Sequence, residues 1–377
     1  MTVLILFKLS FSNMASSLRD RKRAALLGLY IGDAVAMPVH WMYDLQQLKS
    51  DYGTVAGYMR PKDTFKNSIL NLSNTGGGGR GQDVKSIIGD VINHGKKKYW
   101  LKGGNYHYHV GLEAGENTLE ASLTRLLIRN MAAQRRGEFV PTSFLEAYVT
   151  FMRTPGSHND TYASTAHRMF FENLVENRLP PSECAANDGH NTDAIDALTL
   201  TVPVIVRYCG DSTVEREALY GKVQSCISLT RRSPALLKYA KAWTDLLCDV
   251  LHGKDLRGAL EAVGLKYFGG SVQAMVRASE GRPDPMVACY IDSSFPALLH
   301  FAYKYSHSVE AALLANANAG GENVARGSLL GTLMGASTGM AGLQEPSWML
   351  NGLYKRAEEE QEIDALLAAA EAEQTDL

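Results

Sequence analysis

The feature that most constrains this chain is its periodicity. Apolar residues recur at helical spacing almost from end to end, and no long alternating β-branched run interrupts them. Such runs appear at VKSIIGDVINHG, NTLEASLTRLLIRN, SFLEAYVTFMR, TYASTAHRMFFENLVENR, DAIDALTLTVPVIVRYC, PALLKYAKAWTDLLCDVLHG, SSFPALLHFAYKY and VARGSLLGTLMGASTGM. The pattern predicts an all-α fold of about a dozen helices wrapped as one unit. The first helix is predicted over Leu18 to Met37, capped by Ser16 or Ser17, with Asp20 in its first turn and Pro38 ending it. Gly28 and Gly32 lie four apart on one face, which calls for close approach by another helix or a ligand. Asp33 is the polar exception in the apolar run LLGLYIGDAVAM.

The segments between helices bound the function classes. Gly53 to Arg80 reads as a loop, and the four glycines Gly76 to Gly79 forbid regular structure there. It is either a lid or a surface loop, and Arg80 and Gln82 could reach a ligand from it. The opening MTVLILF is too short for a signal peptide, and Met14 looks like a more natural start. Residues 1–17 are expected to form a disordered extension, 18–350 the helical domain, and 351–377 a charged C-terminal helix and solvated tail. A formal net charge of -2 gives no basic field for nucleic acid. No stretch is long and apolar enough to span a membrane. Five unpatterned cysteines read as buried free thiols rather than a zinc site. A cytoplasmic location follows, with organelle targeting left open and the oligomeric state unspecified.

Two short segments carry the chemistry. GLEAGENTLEASL and ANAGGENVARGSLLG each place glycine, glutamate and asparagine at a helix start. Glycine frees the turn, Asn117 or Thr118 can cap the helix, and an acid there meets the positive end of the helix dipole. In the second segment the flanking residues are small, which leaves space for a ligand beside Glu322 and Asn323. Arg326 lies four residues after Glu322 and could neutralise it in place of a metal ion. A hard divalent ion wants about six oxygens, which Glu116, Asn117, Thr118, Glu322, Asn323 and water could supply, with Asp33 adding a carboxylate.

With these residues in view, the chain resembles the ADP-ribosylglycohydrolase family. RAALLGLYIGDAVAMPVHWMYD resembles the opening helix of that family, and AGENTLEASL sits where it carries Thr-Asp-Asp-Thr. GHNTDAIDALTLTVPVI resembles its middle helix, with Asp193 and Asp196 in place. The late run around GGENVARGSLLGTLMGASTG sits where it carries Gly-Gly-Asp-Thr-Asp-Thr. HWMYD is similar to a branch that includes the jellyfish J1 crystallins and a related fish selenoprotein. The resemblance covers roughly residues 20 to 345. It implies a compact, single, orthogonal multi-helix domain, a binuclear magnesium or manganese centre in an ADP-ribose cleft, and hydrolysis of an N- or O-glycosidic bond.

The departures fall on the implied ligands. Thr-Asp-Asp-Thr is Gly115, Glu116, Asn117, Thr118 here, and Asp-Thr-Asp-Thr is Glu322, Asn323, Val324, Ala325. One Mg2+, Mn2+ or Ca2+ held by Glu116, Asn117, Thr118, Glu322, Asn323 and Asp193 is one expectation, and no ion at all is the other. The reading is a diverged hydrolase of ADP-ribose-like, nucleoside-like or ADP-ribosylated substrates, with Glu116 or Glu322 activating water and Asp33 assisting. The alternatives are an inactive binding module and a crystallin-like structural protein. Asn117, Thr118, Asn323, Tyr106, Tyr108 and His158 are the expected substrate contacts. His107 and His109 read as surface residues, with lining of the cleft mouth or transition-metal binding as the alternatives, His158, Asn159 and Asp160 as a turn that caps the next helix, and Trp41 beside His40 as a buried anchor.

Overall fold

The computed structural model describes residues 16–66, 68, 70, 87–100, 104–185, 192–210 and 214–371. The proposed extension to residue 15, the start at Met14, Gly76 to Gly79, Arg80, Gln82 and the last six residues lie outside them. Among the described residues the chain forms α1 Leu18–Ala36, α2 Leu45–Tyr52, α3 Leu119–Ala132, α4 Pro141–Arg153, α5 Thr165–Val175, α6 Val202–Tyr208, α7 Arg216–Ser228 and α8 Leu236–Leu251. It continues with α9 Leu256–Val263, α10 Val272–Ala278, α11 Ile291–Lys304, α12 Val309–Asn318, α13 Val324–Gln344, α14 Trp348–Asn351 and α15 Arg356–Glu371. Only isolated bridges, such as Thr64 to Tyr106, represent β structure among them. The fold is therefore all-α. No helix among the described residues is long and apolar enough to cross a membrane.

α1 begins as its sequence predicts. Ser17 accepts from the Asp20 amide at 3.1 Å, and Pro38 sits in a 3₁₀ turn, Met37–Val39, that ends the helix. Every residue from Ala24 to Ala36 is buried, so α1 is a central helix rather than an amphipathic surface one. Its partner is α13. A Cβ on Gly28 would lie 2.1 Å from the Gly331 carbonyl oxygen, and one on Gly32 2.0 Å from that of Gly327. Gly335 meets Ala24 in the same way, at 2.2 Å. As numbers rise on one helix they fall on the other, so the pair is antiparallel and in backbone contact. The spacing of Gly28 and Gly32 serves helix packing, not a ligand.

Around this pair stand α8, α11, α12 and a 3₁₀ stretch, Ile195–Thr201. α15 lies across α3 and α1. Its charged sequence hides an apolar face: Ile363, Leu366 and Leu367 are buried, while Glu362 accepts from Arg125 at 2.9 Å and Arg129 at 3.0 Å. The helix is thus docked along its length instead of solvated. The five cysteines are free thiols, four of them buried.

Candidate active site

The second glycine–acid turn is held from both sides. Gly320 and Gly321 have φ of 68° and 66°, a region that costs a side chain energy. A Cβ on Gly320 would approach the Met42 carbonyl oxygen to 2.3 Å, and one on Gly321 the Val287 oxygen to 2.5 Å. The Trp41 amide donates to the Gly321 carbonyl at 2.9 Å and the Gly321 amide to the Met42 carbonyl at 2.8 Å. The Glu322 amide donates to Val287 O, also at 2.8 Å. These bonds place the Glu322 carboxylate beside His40, which follows the 3₁₀ turn closing α1.

From Glu322 a chain of four side chains runs through the interior. His40 Nε2 lies 3.1 Å from Glu322 Oε2, and His40 Nδ1 lies 2.7 Å from His109 Nε2. His109 Nδ1 lies 2.8 Å from Asp160 Oδ1, and Asp160 Oδ2 accepts from the Leu119 amide at 2.8 Å. All four are nearly or wholly buried. Three gaps separate the four groups, and each gap needs one proton to be a hydrogen bond. With both carboxylates ionised, the two rings together hold three N–H protons, so one is an imidazolium. The middle proton can sit on either ring, so positive charge can shift between the Glu322 end and the Asp160 end without moving a heavy atom. His107 stands outside this chain: burial lowers it to about 3, its Nε2 donates to Pro38 O at 3.0 Å, and its Nδ1 accepts from the His109 amide.

Burial alone would raise the Glu322 carboxyl, as its apolar surroundings suggest. The His40 imidazole and the Ala325 amide, 3.1 Å from Oε1, outweigh burial and hold it below the usual value. Asp160 is held low in the same way, by His109 and the Leu119 amide against burial.

Glu322, His40 and His109 open onto a cavity of about 390 Å³, within the usual range for small-molecule sites. Trp41, Tyr43, Tyr162 and Tyr290 supply aromatic wall. Trp41 itself has φ of 56° and meets Tyr108 and Tyr162 edge-on at 5.0 Å each. Two further carboxylates line the cavity, Glu120 and Asp196. Glu120 faces His167 Nε2 at 3.1 Å, and His167 Nδ1 is 2.7 Å from the Tyr148 hydroxyl. Asp196 accepts two bonds from Arg231, at 3.0 and 2.9 Å.

The first glycine–acid turn lies elsewhere. Gly115 packs on the Gly352 carbonyl oxygen, 2.1 Å from a built Cβ, and Glu116 folds back to accept from the Glu113 amide at 2.7 Å. Glu116 does not line the cavity. Burial raises its carboxyl. Asn117 and Thr118 turn inward to Asp33, which accepts from Asn117 Nδ2 at 2.9 Å, the Thr118 amide at 2.8 Å and Thr118 Oγ1 at 2.7 Å. Burial pushes Asp33 up to about 6 against these bonds. Thr118 reaches the cavity edge; Asn117 and Asp33 do not.

The remaining predicted residues are dispersed. Asn323 donates to Val39 O and Ala317 O at 3.2 and 3.3 Å. Arg326 does not pair with Glu322. It donates to Asn316 Oδ1 at 2.6 Å and Gly320 O at 3.3 Å and lies over the Phe301 ring, and burial pulls it down to about 10. Asp193 accepts from the Ser233 hydroxyl; the cavity carboxylate of that segment is Asp196, three residues on. Tyr106 meets Tyr99 edge-on, Tyr108 is buried behind Trp41, and His158 stacks on Phe151 with burial lowering it to about 4. None of these last three lines the cavity.

The donor set does not fit a hard divalent ion. Of the carboxylates expected as ligands only Glu322 lines the cavity, while Asp33, Glu116 and Asp193 do not. Val324 offers no side-chain oxygen. Asn117 Oδ1 and Asn323 Oδ1 are buried without a partner, but both are neutral and neither residue lines the cavity. Among the described residues no group of three or more His, Cys, Asp or Glu side chains is arranged as a metal site.

Sequence reasoning passed over the relay. His40, His109 and Asp160 come from three separated segments, and no spacing joins them. The available signal was the clustering of His107 and His109 ahead of one turn and of His158, Asn159 and Asp160 in another. A family model described as ADP-ribosylglycohydrolase matches residues 14–376 of the chain. The chain is also similar to a solved structure described as an "ADP-ribosylglycohydrolase-related protein complex", with 18% identity, 94% of this chain and 100% of that chain covered, and a TM-score of 0.60. At that identity the likeness is one of fold. No curated protein matches the chain.

Proposed function

The chain belongs to the ADP-ribosylglycohydrolase family, and from that premise we propose that it is a diverged glycosidic-bond hydrolase working through the Glu322 relay instead of a pair of ions. The observation that carries this reading is the unbroken line Glu322–His40–His109–Asp160 ending at the cavity wall. A structural cap or a packing contact needs one such bond, not four buried ionisable groups in series.

The chemistry follows from the charge. Glycosidic cleavage builds positive charge at the sugar C1. Glu322, kept ionised by His40, stabilises that charge in a largely apolar site where a fixed carboxylate acts strongly. A water beside it bonds to C1 while the leaving atom takes the bonding pair, and the water proton passes to Glu322. His40 fixes the orientation of the carboxylate and, through His109, spreads the added charge toward Asp160. Asp33, Asn117 and Thr118 serve this site by fixing the start of α3.

HWMYD, which carries the resemblance to the crystallin-containing branch, supplies His40, Trp41 and Tyr43 to the cavity. That favours a ligand-handling role over a purely structural one. The five free thiols support a reducing compartment such as the cytoplasm. The second reading, a binding module without turnover, is favoured by Val324 and Ala325 standing where the resemblance implies oxygen ligands. Product release from a panel of N- and O-glycosides decides between them: release that Glu322→Gln abolishes supports the hydrolase, and binding with no release establishes the module.

A further inference from the structure

The cavity wall carries more acidic than basic side chains. Its acidic and imidazole side chains are Glu120, Asp160, Asp196, Glu322, His40 and His109, and among the described lining residues there is no lysine or arginine. Behind the wall, Arg231 is committed to Asp196 by two bonds and His167 to Glu120. Along the relay two carboxylates flank two imidazole rings, and one proton shared by the rings would not balance both acids. The sum is negative.

An anion would need basic side chains or free helix amides. Several helices begin at the cavity, among them α3, α5 and α13, and carboxylates of the protein already occupy amides at two of these starts. At α3 the Thr118 amide, just before the helix, and the Leu119 amide at its start are bonded to Asp33 and Asp160. At the start of α13 the Ala325 amide is bonded to Glu322. A diphosphate would meet four carboxylates and no lysine or arginine, with only hydroxyls and the start of α5 to set against them. The aromatic wall favours the opposite charge, because indole and phenol faces attract cations. Tyr43 and Tyr290 stand at the mouth, 49% and 43% exposed, and Trp41 lies further in, its ring 4.3 Å from that of His40.

We propose that this cavity takes a phosphate-free N-glycoside whose heteroaromatic base is positively charged, of the pyridinium type. The proposal rests on the hydrolase reading above. The step balances without an acid: the C1–N bond breaks with its electron pair going to the ring nitrogen, and the base leaves neutral. The water oxygen bonds to C1, and the water proton goes to Glu322. That accords with Glu120 and Asp196, the remaining lining carboxylates, being engaged by His167 and Arg231.

Titration calorimetry on the full chain tests it with N-ribosylpyridinium, its neutral phenyl C-riboside isostere and ADP-ribose, followed by a product assay on N-ribosylpyridinium, ADP-ribose and a neutral N-riboside. The charged riboside is expected to bind about tenfold more tightly than the neutral one, with no binding of ADP-ribose. Tyr43→Leu, at an exposed position, should narrow that gap; Trp41→Leu should narrow it further if it folds. ADP-ribose binding as tightly as the pyridinium, equal affinity for charged and neutral ribosides, or no binding by any of the three overturns the proposal. The expected order of binding without product release removes the hydrolase reading and leaves the ligand class standing. Release mainly from ADP-ribose or the neutral N-riboside does the reverse.

Discussion

Two turns in this chain share glycine, glutamate and asparagine before a helix, and they are used in opposite ways. At Gly115 to Asn117 the acid faces its own loop and the amide reaches down to Asp33. At Gly320 to Asn323 the acid enters the cavity and the amide turns back to main-chain carbonyls. The difference lies in what each glycine touches. Gly115 abuts Gly352 next to the C-terminal helix, whereas Gly320 and Gly321 abut Met42 and Val287, on two segments of the cavity wall. A turn motif determines local backbone shape; its packing partner determines where the acid points.

The comparison can be broken most readily at the acids themselves. Glu322→Gln should lower glycoside turnover by about 100- to 1000-fold, the scale for one preorganised electrostatic group, measured on the folded fraction because the lost partner of His40 also lowers the melting temperature. Next come the glycines. Gly321→Ala and Gly115→Ala should each destabilise by roughly 2–4 kcal/mol in urea titrations, since a Cβ meets a carbonyl oxygen at positive φ. Only Gly321→Ala should also lower turnover of the fraction that remains folded.

The structural side has a pH signature. Glu359 of α15 is buried, 3.6 Å from Arg125, and burial raises it to about 8. A raised carboxyl lends stability that is complete below its ordinary value near 4.5 and is lost as pH rises through 8. Stability should therefore decline across that window by up to a few kcal/mol, at about 1.4 kcal/mol per pH unit, and Glu359→Gln should flatten the decline in melts at pH 5, 7 and 9. The smallest effect belongs to Glu116→Gln, with turnover expected within about twofold of wild type, since its carboxylate is half-exposed, lies outside the cavity and accepts only from the Glu113 amide and the Asn159 side chain. A hundredfold loss there would erase the distinction between the turns.

The helical class was legible because 3.6-residue periodicity is local, and α1 was legible with it, down to Ser17, Asp20 and Pro38. The close approach at Gly28 and Gly32 was also legible, but not its partner, because Gly331 and Gly327 lie about three hundred residues away in the chain. Glu116 and Glu322 looked equivalent because the sequence does not say what Gly115 and Gly321 pack against. Arg326 looked like the partner of Glu322 from i,i+4 spacing, yet the first helical turn carries it toward Asn316 and Phe301 while His40, 282 residues earlier, takes the carboxylate. Asp160 was read as a helix cap; it does cap a helix, but α3, which precedes it, and with its other oxygen it holds His109.

The central claim is that the Glu322 relay, not a pair of ions, runs hydrolysis at this cavity. The most direct measurement is product release from N-glycosides by wild type and Glu322→Gln in EDTA, repeated with added Mg2+. The account predicts release in chelator, no gain from the ion, and a loss of about a hundredfold or more in the variant. Release that appears only with Mg2+ and survives Glu322→Gln would contradict it.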